Sequence, residues 1–190
     1  MLIRQPHFAL DDPFLVERLH RIISDYGIHT VVETGTNEGK STLGFSAMVR
    51  LVVGVDNDPE CLMSAGGLLV GSGRENWRLE VGSSPGVLRR VIPEVSGLGN
   101  ILFFLDAHWE GYWPLLDEIE AIGDLYAGRG VVVIHDMRVP GRDFGYDRYG
   151  GQPLEYDYVA AALTRWSRGH VVEYNTEAVG SRVGVGFVFP

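Results

Sequence analysis

Val31-Val32-Glu33-Thr34-Gly35-Thr36-Asn37-Glu38-Gly39-Lys40-Ser41-Thr42 is the stretch on which the reading of the chain turns. It begins as a β-branched apolar run and passes at once into a polar loop with two glycines. That is the pattern of a buried strand feeding a tight turn. Two nucleotide motifs can be held against it. A phosphate-wrapping G-x-x-x-x-G-K-[ST] loop finds its end in Gly39-Lys40-Ser41, but its first glycine position is Thr34. The loop is one residue short, and Glu33 would repel phosphate. The dinucleotide pattern G-x-G-x-x-G fails as well, because Asn37 stands where a second glycine is needed. What remains is E-x-G-x-x-x-G after a strand. An acid there attracts an ammonium group, and glycines let the backbone approach a ligand closely.

The next apolar run, Leu51 to Asp56, ends on a carboxylate 21 residues after Gly35. An acid at the end of a second strand can accept both hydroxyls of a ribose. An Asp before a helix is also a common cap, but here Asp58, followed by Pro59, is better placed to cap. That leaves Asp56 free for a ligand.

Working outward, five more strand-like runs appear: Trp77–Val81, Ile101–Leu105, Gly130–Ile134, His170–Tyr174 and Val183–Phe189. Four of the first five runs in the chain are nearly continuous in apolar residues. Strands covered on both faces look like this, as in a parallel sheet. Helical patterns lie between them. An N-terminal helix over about 13–26 places Phe14, Leu15, Leu19, Ile22, Ile23 and Tyr26 on one face, with Asp12 and Pro13 opening it and Gly27 closing it. Asp58-Pro59, Ser84-Pro85 and Pro114 open three more, and Val159, Ala162, Leu163 and Trp166 mark a fifth. The Gly66-Gly67 pair weakens the second by about 2 kcal/mol. Strand–helix alternation over the whole length predicts an α/β fold with a doubly wound, seven-stranded, mostly parallel sheet. Only Asn175 to Arg182 joins the last two strands, so the sheet should finish in an antiparallel hairpin.

The 190 residues fit one domain spanning 1–190. An apolar fraction of 45% and a charged fraction of 22% exclude a disordered chain. A single cysteine, Cys61, excludes an internal disulfide. No apolar run reaches the roughly 20 residues of a membrane helix. The first twelve residues carry no signal-peptide pattern, so a cytoplasmic protein is expected. The net charge of −9 argues against a nucleic-acid backbone as partner.

The acidic glycine loop on the first strand and the acidic end of the second resemble those of the class I, Rossmann-like S-adenosylmethionine-dependent methyltransferases. The seven-strand order with a terminal hairpin is similar too, so the resemblance covers nearly the whole chain. Similar D-A-H-W and H-D strings, here Asp106–Trp109 and His135-Asp136, occur in bacterial methyltransferase-like proteins of unassigned substrate. The resemblance implies S-adenosyl-L-methionine as cofactor. Its contacts are expected from Glu33, Gly35, Thr36, Asn37, Gly39, Asp56, Asn57, Ser83, Ser84 and Asp106. It implies a small-molecule acceptor, with O-methylation of a sugar or secondary-metabolite hydroxyl as the expected reaction.

Asp106, His108, His135 and Asp136 follow neighbouring strands and form a polar cluster at the ligand edge. Two roles compete for them. By resemblance to metal-dependent O-methyltransferases, Asp106 and Asp136 hold a divalent cation such as Mg2+, which would chelate the acceptor hydroxyl. The catechol-methylating members have Asp-Asn where His135-Asp136 stands. Alternatively His108 or His135 takes the hydroxyl proton while a carboxylate orients the ring. Satisfying strand-end backbone groups is the plain structural role.

Trp109, Tyr112 and Trp113 suit either a pocket wall or a plug against the next helix. The stretch 138–157 mixes Phe144, Tyr146, Tyr149 and Tyr156 with Arg142 and Arg148, and reads as a lid or an interface. Two other functions fit the same fold. One is a metal-dependent hydrolase or oxygenase using the His/Asp cluster, and the other a non-catalytic scaffold that retains the cofactor site. A homodimer is compatible with all three.

Overall fold

The computed structural model describes residues 9–108, 111–180 and 182–190; Trp109 and the N-terminal tail with His7 lie outside them. A short 3-10 turn, Ala9–Asp11, leads into helix α1, Pro13–Asp25. Asp12 caps α1 by accepting the Phe14 N–H at 3.0 Å, the bond that satisfies a free donor of the first turn. Strand β1, Ile28–Thr34, follows, then α2, Lys40–Ser46, and β2, Leu51–Asp56. Next come α3, Pro59–Gly71; β3, Trp77–Val81; α4, Ser84–Val95; and β4, Asn100–Leu105. Helix α5, Leu115–Leu125, and β5, Val131–Ile134, complete the parallel part.

With β8 over Val171–Tyr174 and β9 over Gly186–Phe189, the main sheet has seven strands in the order β3-β2-β1-β4-β5-β9-β8. The pairs β2·β3, β1·β2, β1·β4 and β4·β5 are parallel. Strand β9, Gly186–Phe189, runs antiparallel between β5 and β8, Val171–Tyr174. This is the doubly wound sheet with the terminal hairpin that the alternation predicts. Strands β1, β2, β4, β5 and β9 are almost wholly buried because both sheet faces are covered. Alternate residues serve separate cores. Val32, Phe103 and Val132 face α4, α5 and the later helix α6 (Tyr156–Trp166), whereas Val31, Phe104 and Val133 face α1 and Phe45 of α2.

The departures from the expected elements have local causes. Helix α2 has no counterpart among the expected helices: it is seven residues long and buries Ser41, Thr42 and Ser46 beside Phe45, so no apolar period marks it. Strand β9 starts at Gly186 rather than Val183, because Val183 pairs with Gly145 instead. Gly184 there lies so close to Met137 that a Cβ would fall 2.0 Å from its carbonyl oxygen.

The segment after β5 is held down at several points. It contains a two-residue hairpin, β6 (Arg148–Tyr149) with β7 (Gln152–Pro153), and then α6, Tyr156–Trp166. Val139, Phe144 and Leu154 are buried. Backbone bonds from Gly145 to Arg182 (2.8 Å) and from Arg138 to Leu154 (2.7 Å) tie its base to the domain. No helix among the described residues is long and apolar enough to cross a membrane.

Candidate active site

The chain runs outward from β1 to β3 and then returns to place β4 on the other side of β1. That reversal leaves a crevice at the carboxyl ends of β1 and β4, the usual ligand position in such sheets. Gly35 stands at its floor. The Gly35 N–H donates to the Val55 carbonyl at 2.9 Å and the Thr36 N–H to the same oxygen at 3.1 Å. Gly35 has φ +78°, and a Cβ there would lie 2.5 Å from the Asp106 carbonyl oxygen. Only glycine allows the β1 and β4 ends to meet this closely.

Asp56 holds the loop above that floor. One carboxylate oxygen accepts the Asn37 N–H at 2.7 Å and the other accepts the Asp58 N–H at 2.9 Å. Asn37 adopts φ +49° to make its bond. Each Asp56 oxygen keeps a lone pair for a further donor. Gly39 closes the loop with φ +79°, packed where a Cβ would lie 2.7 Å from the Ala65 Cβ. Thr36 is buried, over a second close approach at Gly54, where a Cβ would lie 2.6 Å from the Thr36 hydroxyl. Asn57 and Ser83 are exposed at the rim, and Ser84 is buried.

Glu33 is 1% exposed, with its carboxylate accepting from the Thr42 hydroxyl. Burial raises its pKa to about 7. The Ser41 and Thr42 hydroxyls pull it down, and Asp106 and Asp56 push it up. A second buried acid lies on the opposite face of the sheet. Glu118 of α5 is fully buried, and burial again raises its pKa to about 7. The Ser84 and Thr34 hydroxyls face it and lower that value without aligning into hydrogen bonds. Glu118 is not among the expected site residues. Its signal was its spacing, three residues after Leu115 and four before Ile122, which puts it on the buried stripe of its helix.

The structure brings the expected polar cluster together at the ends of β4 and β5. His135 Nδ1 lies 3.0 Å from an Asp106 carboxylate oxygen and 3.3 Å from one of Asp136. Burial opposes the charged ring, but the two carboxylates outweigh it and hold the pKa well above 6.5. The His135 Nδ1 is thus held between two acids. Asp136 sits at φ +56°, the left-handed region, which turns the chain sharply after β5. His108 is exposed and has a separate partner: its Nδ1 lies 3.7 Å from an Asp147 oxygen. Asp147 comes from the segment before β6 and was not among the expected residues. Burial raises its pKa, Asp136 adds to the rise, and His108 opposes it.

Asp106, His135 and Asp136 each present one donor atom, all within 4.8 Å of one another. The set is one nitrogen between two carboxylates. Mg2+ prefers oxygen donors only, so it would have to displace the imidazole from between Asp106 and Asp136. Nearby, Trp113 stacks on Tyr158 of α6 (centroids 4.8 Å, 15°) and approaches Tyr149 of β6 at 5.9 Å. Trp113, Leu105, Leu115, Ile134 and Leu154 give the cluster an apolar lining. Tyr112 is instead turned outward, donating to Asp117.

No protein-family model matches the chain, and no curated protein matches it. Solved structures do. A Staphylococcus aureus protein assigned as a caffeoyl-CoA O-methyltransferase superposes with TM-score 0.67 at 15% identity, covering 97% of this chain and 85% of its own. The precorrin 8w decarboxylase of Methanobacterium thermoautotrophicum gives 0.61 at 18% identity, over 97% and 91%. A Streptococcus thermophilus rRNA methylase gives 0.56 at 15%, over 100% and 98%. The likeness is one of fold: the chain has the Rossmann-like fold of the class I S-adenosylmethionine-dependent methyltransferases.

Proposed function

We propose that the protein is an S-adenosylmethionine-dependent methyltransferase acting on a hydroxyl of a small molecule. The observation that carries this reading is the crevice around Gly35. A buried acid, a glycine-only floor and a ribose-competent carboxylate stand together there at the switch in strand order. Glu33 and the turn from Gly35 to Gly39 would hold the methionine part, Asp56 and Asn57 the ribose, and Ser83 the adenine side. Ser84, turned toward Glu118, would support that wall from behind. A bound structural neighbour fits the same cofactor: a Streptococcus mutans protein assigned as a methyltransferase, of the same fold, was crystallised with S-adenosylhomocysteine.

When bound, the cofactor would supply an electrophilic methyl whose transfer exchanges its S–CH3 bond for an O–CH3 bond, and the acceptor hydroxyl would have to give up its proton. We assign that proton to His108, because its ring is exposed to an incoming acceptor whereas His135 is largely buried between Asp106 and Asp136. Those three residues instead form a fixed charged floor beside the reacting oxygen. Alignment, not acid–base power, supplies most of the rate in such a reaction. Three carboxylates, Asp106, Asp136 and Asp147, surround the acceptor side. They disfavour a phosphate backbone there and favour a neutral acceptor. No metal is needed for this scheme.

Calorimetry with S-adenosylmethionine, against ATP and NAD as controls, tests the reading. Micromolar binding of S-adenosylmethionine is expected, with Asp56→Ala weakening it about 100-fold, the effect of two hydrogen bonds to a charged group. Failure of the wild-type protein to bind it would remove the proposal. Treatment with EDTA is expected to change cofactor affinity and turnover less than twofold. A collapse restored by a transition metal would favour the second reading, a metal-dependent enzyme built on the Asp106-His135-Asp136 donor set.

A further inference from the structure

Asp147 is brought to the active edge by a segment that otherwise packs elsewhere. Its own N–H donates to the Asp136 carbonyl at 2.9 Å, and its carbonyl accepts the Leu154 N–H at 2.8 Å. On one side Phe144 is buried and Gly145 bonds to Arg182; on the other Leu154 is buried against the core. The backbone of Asp147 is thus pinned from both directions. The left-handed turn at Asp136 presents the carbonyl that fixes it. Its carboxylate is half-buried and lies on the Nδ1 side of His108.

We propose that Asp147 is the positioning residue of His108. It holds the ring in the Nδ1–H tautomer and leaves Nε2 as the basic nitrogen. The inference rests on the reading of His108 as the proton acceptor. The separation of 3.7 Å is too long for a hydrogen bond. His108 is exposed, and the inference includes a small turn of its ring that closes this gap to a hydrogen bond in the free protein. A neutral imidazole has one donor nitrogen, and its partner decides which one. Asp106 and Asp136 are already engaged by His135, so the carboxylate for His108 comes from the 138–155 segment. The dyad is complete only when that segment is docked.

The experiment is a long-range proton–nitrogen correlation spectrum of histidine-labelled protein at a pH where His108 is neutral. His108→Gln identifies the resonances. The wild-type ring is expected to show the Nδ1–H tautomer in excess. In Asp147→Ala the ratio of Nδ1–H to Nε2–H should fall about tenfold, the effect of one charge-assisted hydrogen bond. Asp147→Glu should restore part of it, and His135 should not change. Asp147→Asn, which keeps the size, serves if Asp147→Ala fails to fold, and there a fall of at least threefold is expected. Identical His108 spectra in the wild type and the folded variant would overturn the proposal. The spectrum needs neither cofactor nor acceptor. A chain that binds no S-adenosylmethionine defeats the methyltransferase reading and leaves this result legible, and an unmoved tautomer does the converse.

Discussion

Gly35→Ala is expected to destabilise the domain by about 3 kcal/mol and to abolish cofactor binding. Two costs add. The left-handed conformation, φ +78°, penalises any side chain by roughly 1–2 kcal/mol. The new methyl also lands 2.5 Å from the Asp106 carbonyl oxygen, 2.7 Å from its carbon and 3.0 Å from the Ala107 nitrogen. All three are backbone atoms at the end of a central strand, so none can swing aside. Overpacking of this kind costs about 1–3 kcal/mol more. For a chain of this length the melting temperature should drop by about 6–12 °C. Relief of the clash can only push β1 and β4 apart, which opens the floor of the crevice. A variant with native melting temperature and native cofactor affinity would show that the two strand ends do not meet as described.

The second large effect is on pH and stability. Glu33 and Glu118 both move from the ordinary 4.5 to about 7 on folding. A carboxyl whose pKa rises on folding keeps its proton longer in the native state. Below pH 4.5 both states are protonated and no stability is lost. Between about pH 4.5 and 7 the unfolded chain releases its proton first, so stability falls as pH rises. Each group contributes a loss of about 3 kcal/mol, and above pH 7 the loss is complete. His135 acts with the same sign. Its raised pKa gives stability that is fully present below about 6.5 and lost as pH climbs through the folded value. The domain is therefore expected to be most stable near pH 5. Its melting temperature should fall by roughly 15 °C by pH 8.5. The double variant Glu33→Gln, Glu118→Gln should remove most of that slope. A melting temperature that climbs from pH 5 to 8.5 would mean that these carboxyls are ionised and solvated in the native protein.

The frame of the fold was readable because burial on both faces leaves a plain mark. Runs such as Val131–Ile134 and Ile101–Leu105 have no polar face to conceal, and their glycine and proline borders are sharp. The crevice was readable for a related reason. Glu33 and Asp56 lie at the ends of β1 and β2, and Gly35 and Gly39 in the loop from β1 to α2, where sequence position and place in the fold coincide. The unread parts are those made by contact alone. Asp147 lies in a polar, glycine-rich stretch with no period, and its backbone bonds to Asp136 and Leu154 hold it at the site. Helix α2 buries hydroxyls, so it shows no amphipathic stripe. The different surroundings of His108 and His135 also needed distances: the two residues look equivalent until one is found between two carboxylates.

The sheet order has a consequence for how the molecule is made. β9 comes last among the strands in the chain but lies second from the edge of the sheet. β8 has no other partner in that sheet and half of it faces outward. A nascent chain emerging from its N-terminus can assemble β1 to β5 early, yet β5 then offers an open apolar flank. That flank stays uncovered until residues 186–189 arrive to fill it and capture β8 in the same step. β9 is thus a keystone: closure of the core waits on a strand that is distant in sequence from the β5 flank it covers.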